Sequence, residues 1–259
     1  MCSTFFSDRI YLMNDPLTKS LPKPIIAPFD GAKRDWKFLT VFILLSVVFW
    51  FVQFLYQYYY YSPQDLSLSL IRSFSLTGST LVAFALLSSV IFKFRPRLAK
   101  YWYVRRAFGV MGFVFLSLHS RNVIEYLFEG NYLGIFFSLN PFYNPIIFGV
   151  GAITILFFMA ITSFDWMVSK LTQKRWKMIH RFVYIALLFG LLHATLMNVD
   201  ALMTPFGYLL IITTVLVLLG QLYWYIKISS RYNFRSTGTY IGAAIILLYI
   251  SLIYYAFFR

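Results

Sequence analysis

The sequence predicts an all-α integral membrane protein, a bundle of about seven transmembrane helices, and three observations carry that prediction. Of the 259 residues, 60% are hydrophobic and only 12% charged, too apolar for a soluble domain of this length. Runs of about 20 residues without a strong charge recur, each long enough to cross about 30 Å of hydrocarbon as helix. The runs are continuous rather than alternating, which favours helices over a barrel, since lipid leaves the backbone only its own hydrogen bonds.

In chain order the expected spans are 38–57, 73–92, 107–128, 143–164, 178–199, 204–226 and 239–258. Their direction follows from the net charge of +14, whose placement argues against a nucleic-acid partner. Twenty of the 23 Lys and Arg residues fall in 1–37, 93–106, 168–181 and 226–238, so every second connection is basic. The alternate connections, 58–72, 129–142 and 200–203, hold only Arg72. By the positive-inside rule the N-terminus is expected in the cytoplasm and the C-terminus outside a plasma (inner) membrane. The strip YQYYYYS at 56–62 then falls at the outer end of the first span, where an aromatic belt is expected.

The segment before the first span, LPKPIIAPFDGAKRDWK at 21–37, is polar and proline-containing, and no small-residue cleavage site follows the first apolar run. The first span is therefore expected to be a retained anchor rather than a signal peptide. Cys2 is the only cysteine, which excludes an internal disulfide and a thiolate metal cluster. There is no GxGxxG after a strand, no P-loop, no convincing internal repeat and no soluble segment above about 40 residues to house a flavin or nicotinamide domain. Chemistry is expected within the membrane or with a separate partner.

Ionisable side chains inside spans are costly and usually mark a pathway or a ligand set. The candidates are His119 and Arg121 in the third span, Asp165 at the inner end of the fourth, and His180 and His193 in the fifth. His119 lies 13 residues past Arg106, and His193 lies 16 past Lys177. At about 1.5 Å per residue their depths differ by about 4.5 Å, which tilt absorbs. Two imidazoles at one level on neighbouring helices form a natural axial pair for haem iron, with satisfied packing histidines as the alternative. His180, about 20 Å below His193, belongs either to a separate inner site or to the polar interface. Thirteen residues also leave these two about 140° apart on a straight helix.

Gly112 shares a face with His119, where a missing side chain would let a flat macrocycle approach. Arg105, on the same face at the inner surface, could meet a propionate, although Arg105 and Arg106 also suit a plain basic collar. Arg121 is expected to pair with Glu125, one turn along. Residues 107–112, AFGVMG, offer no histidine opposite His180.

The order TG at 77–78, RRAFG at 105–109, His119, TS at 162–163, WKMIHRFVY at 176–184 and His193 resembles the ferric-reductase-like transmembrane domain superfamily. Within it the resemblance is to the MsrQ (YedZ) family of haem-binding membrane subunits of methionine-sulfoxide reductase systems. It covers about residues 38–227, six of the seven spans, leaving 1–37 as a cytoplasmic N-terminal segment and 228–259 as an additional C-terminal helix. The resemblance implies a b-type cytochrome taking electrons from quinone or a flavin reductase to an external partner, a molybdopterin methionine-sulfoxide reductase. It also implies one or two haems b, with His119, His180 and His193 as the haem-associated histidines, and an association with FMN that no residue here places. Such a chain is an electron-transfer subunit of an oxidoreductase rather than a complete enzyme. The sequence departs from the family in its seventh span, in SRNVIEY after His119 and in the outer loop NPFYNP, which leaves the external partner open.

Two other functions stand beside this one. A transmembrane metalloreductase would reduce ferric ion or oxygen at an outer face that offers Asp65, Glu125, Glu129 and Asp200. A non-haem transporter or scaffold would use its histidines structurally, but the prolines lie mainly in tails and loops rather than at midplane breaks.

Overall fold

The helices contain the apolar runs and in places extend into their charged flanks. The computed structural model describes residues 36–171, 173–197 and 199–232, with Leu247, Leu248, Ser251 and Tyr254. Its α-helices are α1 Trp36–Tyr56, α2 Leu66–Phe94, α3 Trp102–Leu127, α4 Ile146–Ile161, α5 Asp165–Lys170, α6 Gln173–Arg181, α7 Val183–Met197 and α8 Pro205–Tyr232. Five stretches are long and apolar enough to cross a membrane, namely 39–61, 66–94, 102–127, 178–197 and 205–224, and Ile146–Ile161 is a shorter apolar helix. The chain is a multi-pass helical membrane protein. The expected seventh span, 239–258, lies outside the described residues apart from the four named positions.

Local chemistry sets the boundaries. Asp65 caps α2 by accepting from Leu68 N at 2.9 Å, and Pro96 stops that helix at the far side of Arg95. At the end of α3 the backbone turns through Glu129 and Gly130 at positive φ, and Gly130 N donates to Ile124 O at 2.9 Å. Thr204 caps α8 by accepting from Gly207 N at 3.2 Å, and Pro205 takes the first helical position.

Two expectations need correcting. The fourth span is a helix of 16 residues, about 24 Å long, so it falls short of about 30 Å of hydrocarbon. Asn144–Pro145 holds its start in a turn, and at its end Thr162 Oγ1 donates to Phe158 O at 2.9 Å before the chain extends at Phe164. The fifth span is not one regular helix: the ladder breaks at Phe182, whose N–H donates to Ile179 O at 3.0 Å in a tighter turn. The angle between His180 and His193 on a straight helix therefore does not apply.

Successive spans alternate in direction. Lys93 at the end of α2 donates to Gln221 late in α8, whereas Phe206 at the start of α8 packs on Phe49 and Tyr56 late in α1. We call the end carrying Lys93 and Arg105 the basic end, and the end carrying Tyr56–Tyr61 the far end.

The long α2 lies at the centre. Its Val82, Leu86 and Val90 form a buried cluster with Leu156 of α4, Val183 and Ala186 of α7 and Val217 of α8. Against α3 it closes to backbone contact, since a Cβ on Gly78 would lie 2.9 Å from Gly112 O and one on Gly112 the same distance from Gly78 O. Helix α1 is peripheral, with Val41, Leu44, Leu45 and Val48 exposed as a lipid-facing surface requires. Its inward seam is Ser46, Trp50, Gln53 and Gln57, and Trp50 stacks on Phe74 of α2 at 4.9 Å.

Candidate cofactor site

His119 of α3 and His193 of α7 face each other, their ring centroids 6.4 Å apart and their planes 67° to one another. Each ring is fixed from behind by a carbonyl. His119 Nδ1 lies 2.9 Å from Ile71 O in α2, and His193 Nδ1 lies 3.0 Å from Pro145 O at the head of α4. A carbonyl only accepts, so Nδ1 is the protonated donor in both rings and each Nε2 keeps its lone pair. Metal-binding histidines are set in this way, the second nitrogen tied to a backbone acceptor that fixes tautomer and orientation.

The sheer scarcity of donors narrows what the pair can hold. Among the described residues no group of three or more His, Cys, Asp or Glu side chains gathers as a metal site. Two opposed imidazoles suit a metal that brings its own four in-plane ligands, as haem iron does. Metal–nitrogen bonds of about 2.0 Å, plus about 1.1 Å from nitrogen to ring centre on each side, put axial imidazole centres roughly 6.2 Å apart. The observed 6.4 Å meets that requirement.

Packing around His193 is as specific as its hydrogen bond. A Cβ on Gly149 would lie 3.2 Å from His193 Nδ1 and 3.3 Å from both Cγ and Cε1, so the glycine leaves the floor on which the ring rests. Pro145 and Gly149 are four residues apart on α4, one turn, so one face supplies both the acceptor and the floor. Asn144, fully buried, closes the same corner from the loop side.

His180 is placed elsewhere. It stacks on Trp176 with centroids 4.0 Å apart, and its Nε2 lies 3.4 Å from Thr162 Oγ1. That hydroxyl spends its proton on Phe158 O at 2.9 Å, so it accepts from His180 rather than donating. Trp176 Nε1 is held in turn by Thr162 O at 3.1 Å. Arg105 and Arg106 lie near enough for their charges to act on His180. Arg105 also lies within electrostatic reach of Lys93 and Tyr184. Lys93 donates to Gln221 Oε1 at 2.5 Å, and Gln221 Nε2 donates to Tyr184 OH at 2.6 Å. The basic end thus carries a cationic, hydrogen-bonded cluster separate from the His119–His193 pair.

The remaining candidates fall out plainly. Gly112 is buried against Gly78 and Val82 of α2, so helix contact accounts for its missing side chain. Arg121 pairs with Glu125 at 3.5 Å, one turn along, with both side chains exposed. Sequence reasoning missed Ile71, Pro145, Asn144, Gly149, Thr162 and the Lys93–Gln221–Tyr184 chain. Of these, Asn144–Pro145 in the quoted NPFYNP loop, Thr162 in TS at 162–163 and Tyr184 in WKMIHRFVY stood in stretches that left a signal, though without an assigned role.

Comparison with known proteins places the chain beside haem-binding membrane subunits. Residues 74–191 match the family described as ferric reductase like transmembrane component; His119 and His180 fall inside the match and His193 two residues beyond it. Three curated relatives carry the name protein-methionine-sulfoxide reductase heme-binding subunit MsrQ. The protein from Herminiimonas arsenicoxydans is 34% identical over 92 residues, 35% of this chain and 41% of its own. That from Agrobacterium fabrum is 33% identical over 116 residues, 45% and 52%. That from Rhodospirillum rubrum is 33% identical over 99 residues, 36% and 44%. The chain spans about half the length of these relatives or less. Over residues 74–191, just under half of its length, the chain is similar to the ferric-reductase-like transmembrane family.

Proposed function

We propose that this protein is a haem b membrane subunit that carries electrons from a quinone or flavin-reductase donor at its basic end to an external redox partner at its far end. The observation that carries the proposal is the opposed pair His119 and His193, with both Nδ1 atoms committed to carbonyls and both Nε2 atoms available 6.4 Å apart by ring centre. The relatives named heme-binding subunits of protein-methionine-sulfoxide reductase support a haem and an external methionine-sulfoxide reductase as the partner. The charge rule supports a cytoplasmic basic end.

When bound, haem supplies reversible one-electron chemistry at iron. The chain's own residues do the rest. His119 and His193 would hold the metal through Nε2, and Ile71 and Pro145 fix the rings and would raise their basicity. At the basic end, about 21 Å along α3 from His119, Arg105 and Arg106 with His180 beside them are suited to the carboxylates of a second anionic group rather than of a haem held by the His119–His193 pair. No proton-transferring side chain is required for a one-electron carrier.

A dithionite-reduced minus oxidised spectrum of the purified protein tests the proposal. A b-type α-band is expected in the wild type and in His180→Ala, and its loss in both His119→Ala and His193→Ala. A well-folded wild type without haem after reconstitution overturns the function, and an α-band that survives in either axial variant overturns the site.

A further inference from the structure

The far-end loop between α3 and α4 contains the NPFYNP turn, and its construction bears on the iron site. Asn144 is fully buried and spends both Nδ2 hydrogens on carbonyls, Ile135 O at 2.7 Å and Ser138 O at 2.9 Å. Its backbone N–H donates to Asn140 O at 2.9 Å, and Asn140 Oδ1 accepts from Phe142 N at 3.0 Å. One amide therefore ties the loop to the head of α4. The short α4 brings this corner close to the hydrocarbon, where free carbonyls are costly.

The next residue is Pro145, whose carbonyl accepts the His193 Nδ1 proton. We propose that Asn144 is a positioning residue for His193, acting through the Pro145 carbonyl, so that the shape of the loop sets the imidazole's tautomer and orientation. The ligand role of His193 rests on the function proposed above, but the link from Asn144 to the ring does not. Two observations on the same corner support the link. Gly149 confines the ring from one side, leaving the Pro145 bond as the restraint that selects the tautomer. The loop's other ties are local turns, such as Leu133 N and Gly134 N to Asn131 Oδ1, and the edge contact of Phe142 with Phe148 of α4. Residues 130–145 carry no charge, and Leu133, Phe137, Leu139, Phe142 and Tyr143 are all exposed. Without the amide, Ile135 and Ser138 lose a donor each, and the Pro145 carbonyl keeps only the bond from Phe148 N, at 3.1 Å, to hold it toward His193.

The test is nitrogen-15 NMR of histidine-labelled full-length protein in lipid nanodiscs, without haem, with His193→Ala to assign the resonance. In the wild type His193 is expected as the Nδ1–H tautomer alone. Asn144→Ala is expected to bring in the Nε2–H tautomer, while Tyr143→Ser, a change at an exposed neighbour, leaves the spectrum as it was. Asn144→Gln keeps both donors on a longer stem and is expected to fall between, and it serves the same test if the alanine variant does not fold. An unchanged His193 signal in the Asn144 variant overturns the inference, as does an equal change in Tyr143→Ser. After haem is added, a fall in affinity of roughly tenfold is expected for Asn144→Ala, the usual effect of losing support behind a metal-bound histidine. Wild-type protein that takes up no haem but keeps the tautomer dependence sinks the proposed function and leaves Asn144 in its role.

Discussion

Replacing Gly149 by alanine tests whether the pair is built for a fixed ring separation. The new Cβ would stand 3.2 Å from His193 Nδ1 and 3.3 Å from Cγ and Cε1, where ordinary contact begins at 3.4 Å. The ring must therefore move by a few tenths of an ångström. It is tethered to Pro145 one turn earlier on the same helix, so moving off Gly149 stretches a bond now 3.0 Å long toward the edge of the hydrogen-bonding range. Mild overpacking and a weakened hydrogen bond together cost about 1–2 kcal/mol. That corresponds to roughly 5- to 30-fold in haem affinity. The assay is haem titration into apo protein, with thermal unfolding alongside. Gly190→Ala on α7 is the control, because a Cβ there meets nothing within 4 Å. Haem affinity for Gly149→Ala within twofold of the wild type would refute the reasoning, and so would an equal loss in Gly190→Ala.

Other substitutions probe the packing behind the site. Alanine at Gly112 would bring a Cβ to 2.8 Å from Val82 Cγ2 and 2.9 Å from Gly78 O, so α2 and α3 must part. A loss of about 1–3 kcal/mol is expected in unfolding measurements, accompanied by haem loss, because the His119–Ile71 bond crosses the same helix pair. Gly109→Ala, whose Cβ would meet only Ala85 Cβ at 3.9 Å, should be tolerated. Gln53 is fully buried and neither polar atom of its amide has a partner. Gln53→Leu is therefore expected to leave the melting temperature unchanged or raise it, by up to about 1–3 kcal/mol of recovered desolvation. A clear drop would reveal a bonded occupant of the α1–α2 seam.

Charge placement was the most legible feature, because Lys and Arg must stay out of lipid and so report each connection directly. Hydropathy gave the helices with similar directness, and it failed where backbone turns intrude on apolar sequence. Asn144–Pro145 and Thr162 trim α4, and Phe182 interrupts the fifth span; Pro145 can only begin a helix, whereas the residues around Thr162 and Phe182 are compatible with a longer one. The pairing of His119 with His193 could be read from depth alone, since basic collars give two helices a common origin. Their supports could not. The acceptors on Ile71 and Pro145 are backbone carbonyls, which every residue has, and which carbonyl turns toward a histidine depends on how two helices cross. Gly112 shows the converse: a glycine on the histidine's face was open to two uses, and only the position of α2 decides between them.

The two axial supports repeat in a way that side-chain identity conceals. Ile71 to His119 and Pro145 to His193 each span 48 residues, a descending helix followed by an ascending one, closed by the same Nδ1-to-carbonyl bond. Two helical hairpins that run in the same sense thus offer the same atom to a common midpoint. Such repetition lets a site with so few polar groups be specified, since each hairpin must supply only one ring and one carbonyl. It also shows where the equivalence ends. Thirteen residues before His193 stands His180, and thirteen before His119 stands Arg106. His180 turns its Nε2 to Thr162 and stacks on Trp176, while Arg106 brings charge to bear on it. The far half of the bundle is thus arranged as a matched histidine pair. The basic half is arranged as a histidine among cations, the environment that attracts an anionic group rather than one that presents two neutral imidazoles.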